Sequence, residues 1–322
     1  MMLTTLIWIF AQAGSGLGGM SGTTGARPLE CDVVDGSRAN VWERAKSPAL
    51  RHYCDLLASG AAKIVSVANG TSMANDALAL ADEAEKVLPG RAAPMVLKGR
   101  AAASLGKYSD AFTALLEARK RDEHALDDPQ ALLALGRAAA RTSHPEEARR
   151  AYQMLLPRAS ALTPTDRGVA YDEAGMIALD VGPSALGEAI ATFRQAERDA
   201  QDLPQTVAVL GLALSLDRAG QHAEAKAVLD ERIHGDPRPL LKNAVAAGVI
   251  GPGTGDNEID ALAAIGLEGS DPTAARDAWR RYAEHAPAAW AEHARSRMAG
   301  KMGPSGDPKP KAKPAALKGA HG

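Results

Sequence analysis

Val96-Leu97-Lys98-Gly99-Arg100-Ala101-Ala102-Ala103-Ser104-Leu105-Gly106-Lys107-Tyr108-Ser109-Asp110-Ala111-Phe112-Thr113-Ala114-Leu115-Leu116-Glu117-Ala118 is the stretch on which the fold turns. Its period and propensity predict two helices separated by a turn at Leu105-Gly106-Lys107. Gly99 then falls inside the first helix, where glycine costs about 1 kcal/mol relative to alanine. A second helix passing too close for a side chain accounts for that cost. The anomaly returns at Gly136, Gly175 and Gly211, at intervals of 37, 39 and 36 residues. Downstream of each glycine comes a turn and then an alanine, Ala111, Ala148, Ala189 and Ala225, at distances of 12, 12, 14 and 14. Four residues further stands a larger apolar side chain: Leu115, Tyr152, Phe193 and Leu229.

This pattern resembles the tetratricopeptide repeat, a helix–turn–helix unit of about 34 residues. Leu105-Gly106-Lys107-Tyr108-Ser109-Asp110-Ala111 and Ala219-Gly220-Gln221-His222-Ala223-Glu224-Ala225 look like that family's turn and second-helix entry. Ala77, Ala81, Ala84 and Pro89 repeat the second-helix spacing, as do Ala275, Trp279, Tyr282 and Pro287. Their first helices are expected near 48–68 and 256–266, and a last helix near 288–298 would cap the stack. The resemblance implies an all-α, right-handed helix–turn–helix superhelix of five or six pairs with degenerate ends. The chain departs from the family in its longer periods, the insertions before Ala189 and Ala225, and Leu155 and Arg232 where a small residue is expected. An irregular helical bundle is the structural alternative.

Hydrophobic residues make up 46% of the 322, enough for a sizeable core, yet only 4% are aromatic, so alanine and leucine must fill it. The 37 basic and 39 acidic residues leave a net charge of −2, which gives no global field for nucleic acid. The apolar run 3–11 is about half the length of a membrane-spanning helix. Ala11-Gln12-Ala13 follows it in the small-x-small pattern of a signal peptidase site, although no Lys or Arg precedes the run. The expected organisation is a signal peptide at 1–13, a Gly/Ser-rich leader at 14–39, the helical solenoid at 40–298 and a Pro/Lys-rich tail at 299–322. A buried amino-terminal segment is the alternative for residues 1–13. Cys31 and Cys54, an even pair, suit one disulfide in an oxidising compartment, against two unpaired thiols. Together these features point to export, into the periplasm of a Gram-negative bacterium, with no integral membrane segment left after cleavage.

Motifs for chemistry are sparse. Gly14-Ser15-Gly16-Leu17-Gly18-Gly19 matches a dinucleotide fingerprint in letters, but a signal-like segment precedes it where a strand is needed. His285 and His293 are separated by Pro287, which breaks a shared helical face, so they read as surface histidines beside carboxylates. Asp256, Glu258 and Asp260 lack the central glycine and terminal Glu of a calcium loop and read as a helix start. No cofactor, metal or catalytic residue is expected.

If the resemblance holds, the first helix of each pair lines a groove that takes a peptide or a partner helix. Residues after or near each mid-helix glycine then face it: Arg100, Arg137 and Arg141 in the first half, Met176, Leu179 and Leu212 in the second. Converging guanidinium forks suit a carboxylate, and the methionine and leucines suit an apolar body. Ordinary inter-helix packing is the competing account of the same residues. The expected function is a non-catalytic scaffold or adaptor binding a protein segment in the envelope. The rivals are a subunit of an envelope assembly or secretion complex that works through its convex face, and an enzyme or metal protein with an unrecognised site.

Overall fold

Fourteen helices follow one another among the described residues, with no strand between them. They are α1 (Pro48–Val65), α2 (Thr71–Val87), α3 (Ala93–Ser104), α4 (Tyr108–Arg121), α5 (Pro129–Arg141), α6 (Pro145–Leu155) and α7 (Pro164–Val181), then α8 (Leu186–Asp199), α9 (Asp202–Arg218), α10 (His222–Arg232), α11 (Arg238–Ala246), α12 (Glu258–Leu267), α13 (Pro272–His285) and α14 (Ala291–Met298). The computed structural model describes residues 28, 30–32, 48–65, 71–199, 202–233, 238–246 and 258–299. The signal-like segment 1–13, the Gly14–Gly19 match, most of the leader, Asp256 and residues 300–322 of the tail lie outside the described residues.

Local chemistry sets the helix starts. Proline stands in the first turn of α3, α5, α6, α7 and α13, where its missing N–H is no loss. Asp128, Thr163 and Asp271 cap α5, α7 and α13 by accepting from the N–H groups of Gln130, Asp166 and Ala274. The turn that ends α3 places Gly106 at φ +71°, so that Lys107 N–H donates to the Ala102 carbonyl and Gly106 N–H to that of Ala103. The corresponding turn after α5 has Ser143 at φ +62°, with His144 N–H bonded to the Ala139 carbonyl. Ser143 is the only described residue other than glycine with positive φ.

Among the described residues, consecutive helices pack on one another except α10 and α11, and first helices also meet first helices: α1 with α3, α3 with α5, α5 with α7, α7 with α9, and α9 with α12. Helix α11, for which the repeat pattern had no place, packs against α9 and α12. The periodic glycines sit at the contacts within pairs. A Cβ on Gly136 would lie 2.8 Å from the Tyr152 ring, one on Gly175 2.6 Å from Phe193, and one on Gly99 would collide with Leu115. At Gly211 the clashing ring is again Phe193, from the preceding pair, and not Leu229 of its own. Phe193 is therefore wedged between α7 and α9. Ala111, Ala148, Ala189 and Ala225 are all fully buried, each letting a neighbouring backbone approach.

Ion pairs join the second helices in sequence. Arg121 of α4 reaches Glu85 of α2, Arg119 of α4 reaches Glu147 of α6, Arg149 of α6 reaches Glu188 of α8, and Arg194 of α8 reaches Glu224 of α10. The turn before α14 folds back on the middle of the molecule. Trp290 is buried, its indole N–H donating to the Leu179 carbonyl at 2.9 Å across 111 residues, and the Arg218 guanidinium lies 4.5 Å from its ring centre.

Candidate functional site

The six residues expected to line a groove are mostly turned into the packing. Met176, Leu179 and Leu212 are buried in one apolar cluster with Phe193 and Trp290. Arg137 on α5 donates through Nε to both carboxylate oxygens of Glu173 on α7, at 3.1 and 2.8 Å, and Arg141 lies 3.7 Å from the same group. The Tyr152 hydroxyl donates to Glu173 at 2.7 Å, and the Arg141 guanidinium rests 4.7 Å from the Tyr108 ring centre. Burial acts to lower Arg137, but Glu173 and Tyr152 outweigh it and hold its pKa above the usual arginine value. The carboxylate that a ligand would bring to these two arginines is thus supplied from within the chain.

Arg100 differs. It is only 8% exposed, and its guanidinium makes one long hydrogen bond, Nη1 to Asp128 at 3.3 Å. Burial pulls its pKa below the usual value, with Asp128 opposing. The side chain lines a cleft of about 660 Å³ between α1, α3 and the loop that joins α4 to α5. Leu57, Ala58, Ala61, Ala93, Val96 and Leu97 form its apolar floor. Among its acids, Asp128 holds Arg100 and caps α5, Asp127 pairs with Arg158, and Glu30 accepts from the Tyr53 hydroxyl. Among its bases, Arg121 is bound by Glu85 and Glu117. Arg91, exposed on the rim, meets no carboxylate and donates no side-chain hydrogen bond among the described residues. Asp122, exposed in the same lining, accepts the His124 N–H at 3.0 Å and meets no cation among the described residues. The unspent polar capacity of the cleft among the described residues is thus donor capacity on Arg91 and Arg100, with the Asp122 carboxylate at the loop edge.

One wall of the cleft is Pro28, Glu30 and Cys31, and Cys31 is bonded to Cys54 of α1. The disulfide closes a loop across a separation of 23 residues, which stabilises by about 3.5 kcal/mol on chain-entropy grounds. Its need is plain from the other contacts. Besides the disulfide and the burial of Cys31 itself, Tyr53 to Glu30 at 3.2 Å is the one side-chain hydrogen bond between this segment and the helices among the described residues. A hydrogen bond contributes about 1 kcal/mol, whereas ordering four residues costs about 4–8 kcal/mol.

A second polar cluster lies at the end of α9, and the sequence did not single it out. Asp217 receives His222 Nδ1 at 2.8 Å, His293 Nε2 at 2.6 Å and Arg297 at 3.1 Å, and Arg297 also reaches Glu268. His293, expected on the surface, is thus largely buried on α14, because that helix docks on the end of α9. Burial tends to raise Asp217, but the two imidazoles and Arg297 prevail and hold its pKa down at about 2. Beside it Arg218 pairs with Glu258 and donates to the Tyr282 hydroxyl at 2.6 Å. Glu258, which begins α12, is committed to that pair. Asp172 on α7 is fully buried with neither carboxylate oxygen hydrogen-bonded, and burial followed by the neighbouring Glu173 charge raises its pKa well above the usual range. No group of three or more His, Cys, Asp or Glu able to hold a metal ion occurs among the described residues. No described helix is long and apolar enough to cross a membrane.

No family model matches the chain, and no curated protein matches it in sequence.

Proposed function

We propose that this chain is a tetratricopeptide-like solenoid acting as a non-catalytic adaptor, exported to the cell envelope, that holds a protein segment in the cleft beside Arg100. The observation that carries this reading is the cleft itself, an apolar floor bordered by two arginines whose donors are unspent among the described residues. A segment with an apolar body and one acidic group satisfies both features. The first-helix contacts and the periodic glycines support the repeat assignment. The disulfide favours an oxidising compartment.

Substituting Arg100 or Arg137 would confound a test, because both belong to internal ion pairs. Arg91→Glu and Ala58→Glu change the exposed lining of the cleft and leave those pairs intact. Affinity capture from envelope extracts should lose its principal partner with these variants and keep it with Arg194→Glu on the second helices. The opposite pattern would move the interaction to the second-helix face and refute the cleft assignment. Amino-terminal sequencing of the mature protein should begin at Gly14; an intact Met1 on exported protein would remove the signal-peptide reading.

A further inference from the structure

We infer that the Cys31–Cys54 disulfide controls the binding cleft, so that only the oxidised protein holds an apolar, carboxylate-bearing protein segment there. This rests on the cleft being the binding site. Both half-cystines line the cleft, and both are buried in the amino-terminal apolar cluster beside Leu57 and Leu97, which belong to its floor. The disulfide thus braces wall and floor together. Pro28 and Glu30 complete the wall, and among the described residues the Tyr53–Glu30 hydrogen bond is the one side-chain hydrogen bond that would hold it once the covalent tie is gone, about 1 kcal/mol against about 4–8 kcal/mol of ordering.

The chemistry balances with a dithiol as reductant. One thiolate attacks a half-cystine sulfur, the second resolves the mixed disulfide, and the dithiol leaves oxidised while Cys31 and Cys54 each gain a proton and together two electrons. The wall then leaves the floor, and the enclosed cleft becomes an open apolar strip with Arg91 and Arg100 at its edge. Enclosure is lost while the cationic edge stays, so affinity falls and the preference for an anion persists.

The probe is N-dansyl-Leu-Ala-Leu with a free carboxylate, compared with its carboxamide by fluorescence titration of the full chain. The oxidised protein should bind the acid at least tenfold more tightly than the amide. Dithiothreitol should weaken acid binding at least tenfold, and a Cys31→Ser/Cys54→Ser variant should sit at the reduced level with or without thiol. Equal affinity of oxidised and reduced protein would overturn the inference while leaving the cleft as the binding site. Failure of the oxidised protein to bind the acid would overturn the ligand class and the cleft reading with it. Amide hydrogen exchange, read without any ligand, tests the wall separately. Reduction should speed exchange in Tyr53–Ala61 and Gly90–Leu97 and leave α7–α9 unchanged, and an unchanged pattern at the cleft would remove the mechanism.

Discussion

Glu173→Gln is the substitution that best tests whether the arginines of α5 belong to the fold or to a ligand. The carboxylate is 6% exposed and receives three groups: Arg137 Nε at 3.1 and 2.8 Å, Tyr152 Oη at 2.7 Å and Arg141 at 3.7 Å. Neutralising it takes the bonded counter-charge from Arg141, with a side chain 12% exposed, and from Arg137, 27% exposed, which keeps only the more distant Asp166. Breaking a buried pair on one side costs about 3–5 kcal/mol, and the partial exposure of Arg137 places this case near the lower end, about 3 kcal/mol. For a chain of this size that is a fall of about 6–12 °C in Tm. Urea unfolding followed by far-ultraviolet circular dichroism, at neutral pH, would measure it directly. A double-mutant cycle with Arg137→Met isolates the pair, and a coupling of about 1.5–3 kcal/mol is expected. Coupling below about 0.5 kcal/mol would mean that Arg137 is solvated and available, and the internal-pair account would be wrong.

Four other outcomes follow from named contacts. Asp217 has a folded pKa of about 2, below its unfolded value, so its stabilisation is present above about pH 4 and is lost as pH falls to about 2; Asp217→Asn should flatten that acid limb, worth about 2–3 kcal/mol, in pH-dependent denaturation. Asp172 has the opposite sign: stability is full below the unfolded pKa and declines as pH rises through the raised folded one, so Asp172→Ala should gain most at alkaline pH, by at most about 1.4 kcal/mol per pH unit. Gly211→Ala should cost about 1–3 kcal/mol in spite of the better helix former, and a Phe193→Leu background should reduce the cost; an unchanged or raised Tm for Gly211→Ala would remove the close-approach argument. Ser143→Gly should raise stability by about 1 kcal/mol by relieving positive φ at a non-glycine, which thermal melts would register.

The repeat was legible because a glycine inside a helix is an anomaly, and four anomalies at near-constant intervals share one cause. Leu115, Tyr152 and Phe193 recur at a fixed place in that pattern, and the structure seats them against Gly99, Gly136 and Gly175. Leu229 was not the partner of Gly211, because sequence period fixes which face a residue occupies but not which neighbouring pair reaches it. Arg137 and Arg141 follow the competing account, inter-helix packing, for a similar reason. Their face was expected to line a groove, with inter-helix packing as the alternative; α5 and α7 meet along it and set Arg137 against Glu173. A signal for this was present: Arg137–Glu173, Gln130–Asp166 and Arg121–Glu85 are each 36 residues apart, about one repeat. Complementary polar groups at the repeat period mark contacts between successive units. The cleft could not be read, since it joins Cys31, α1, α3 and a loop that no local pattern brings together. The Asp217 cluster was hidden in the same way, since His293 reaches it across 76 residues.

The Trp290–Leu179 contact changes how the molecule should come apart. A linear array of helix pairs, each touching only its neighbours, frays from its ends one unit at a time. Here the short turn before α14 is pinned to the end of α7, across α8 to α13, so the described carboxy-terminal half forms a closed circuit. Peeling the last helix undoes a seal on α7 and α9, and the helices between them lose support together. The amino-terminal half, without such a closure among its described residues beyond the Cys31 tie, melts stepwise while the other half melts as a block.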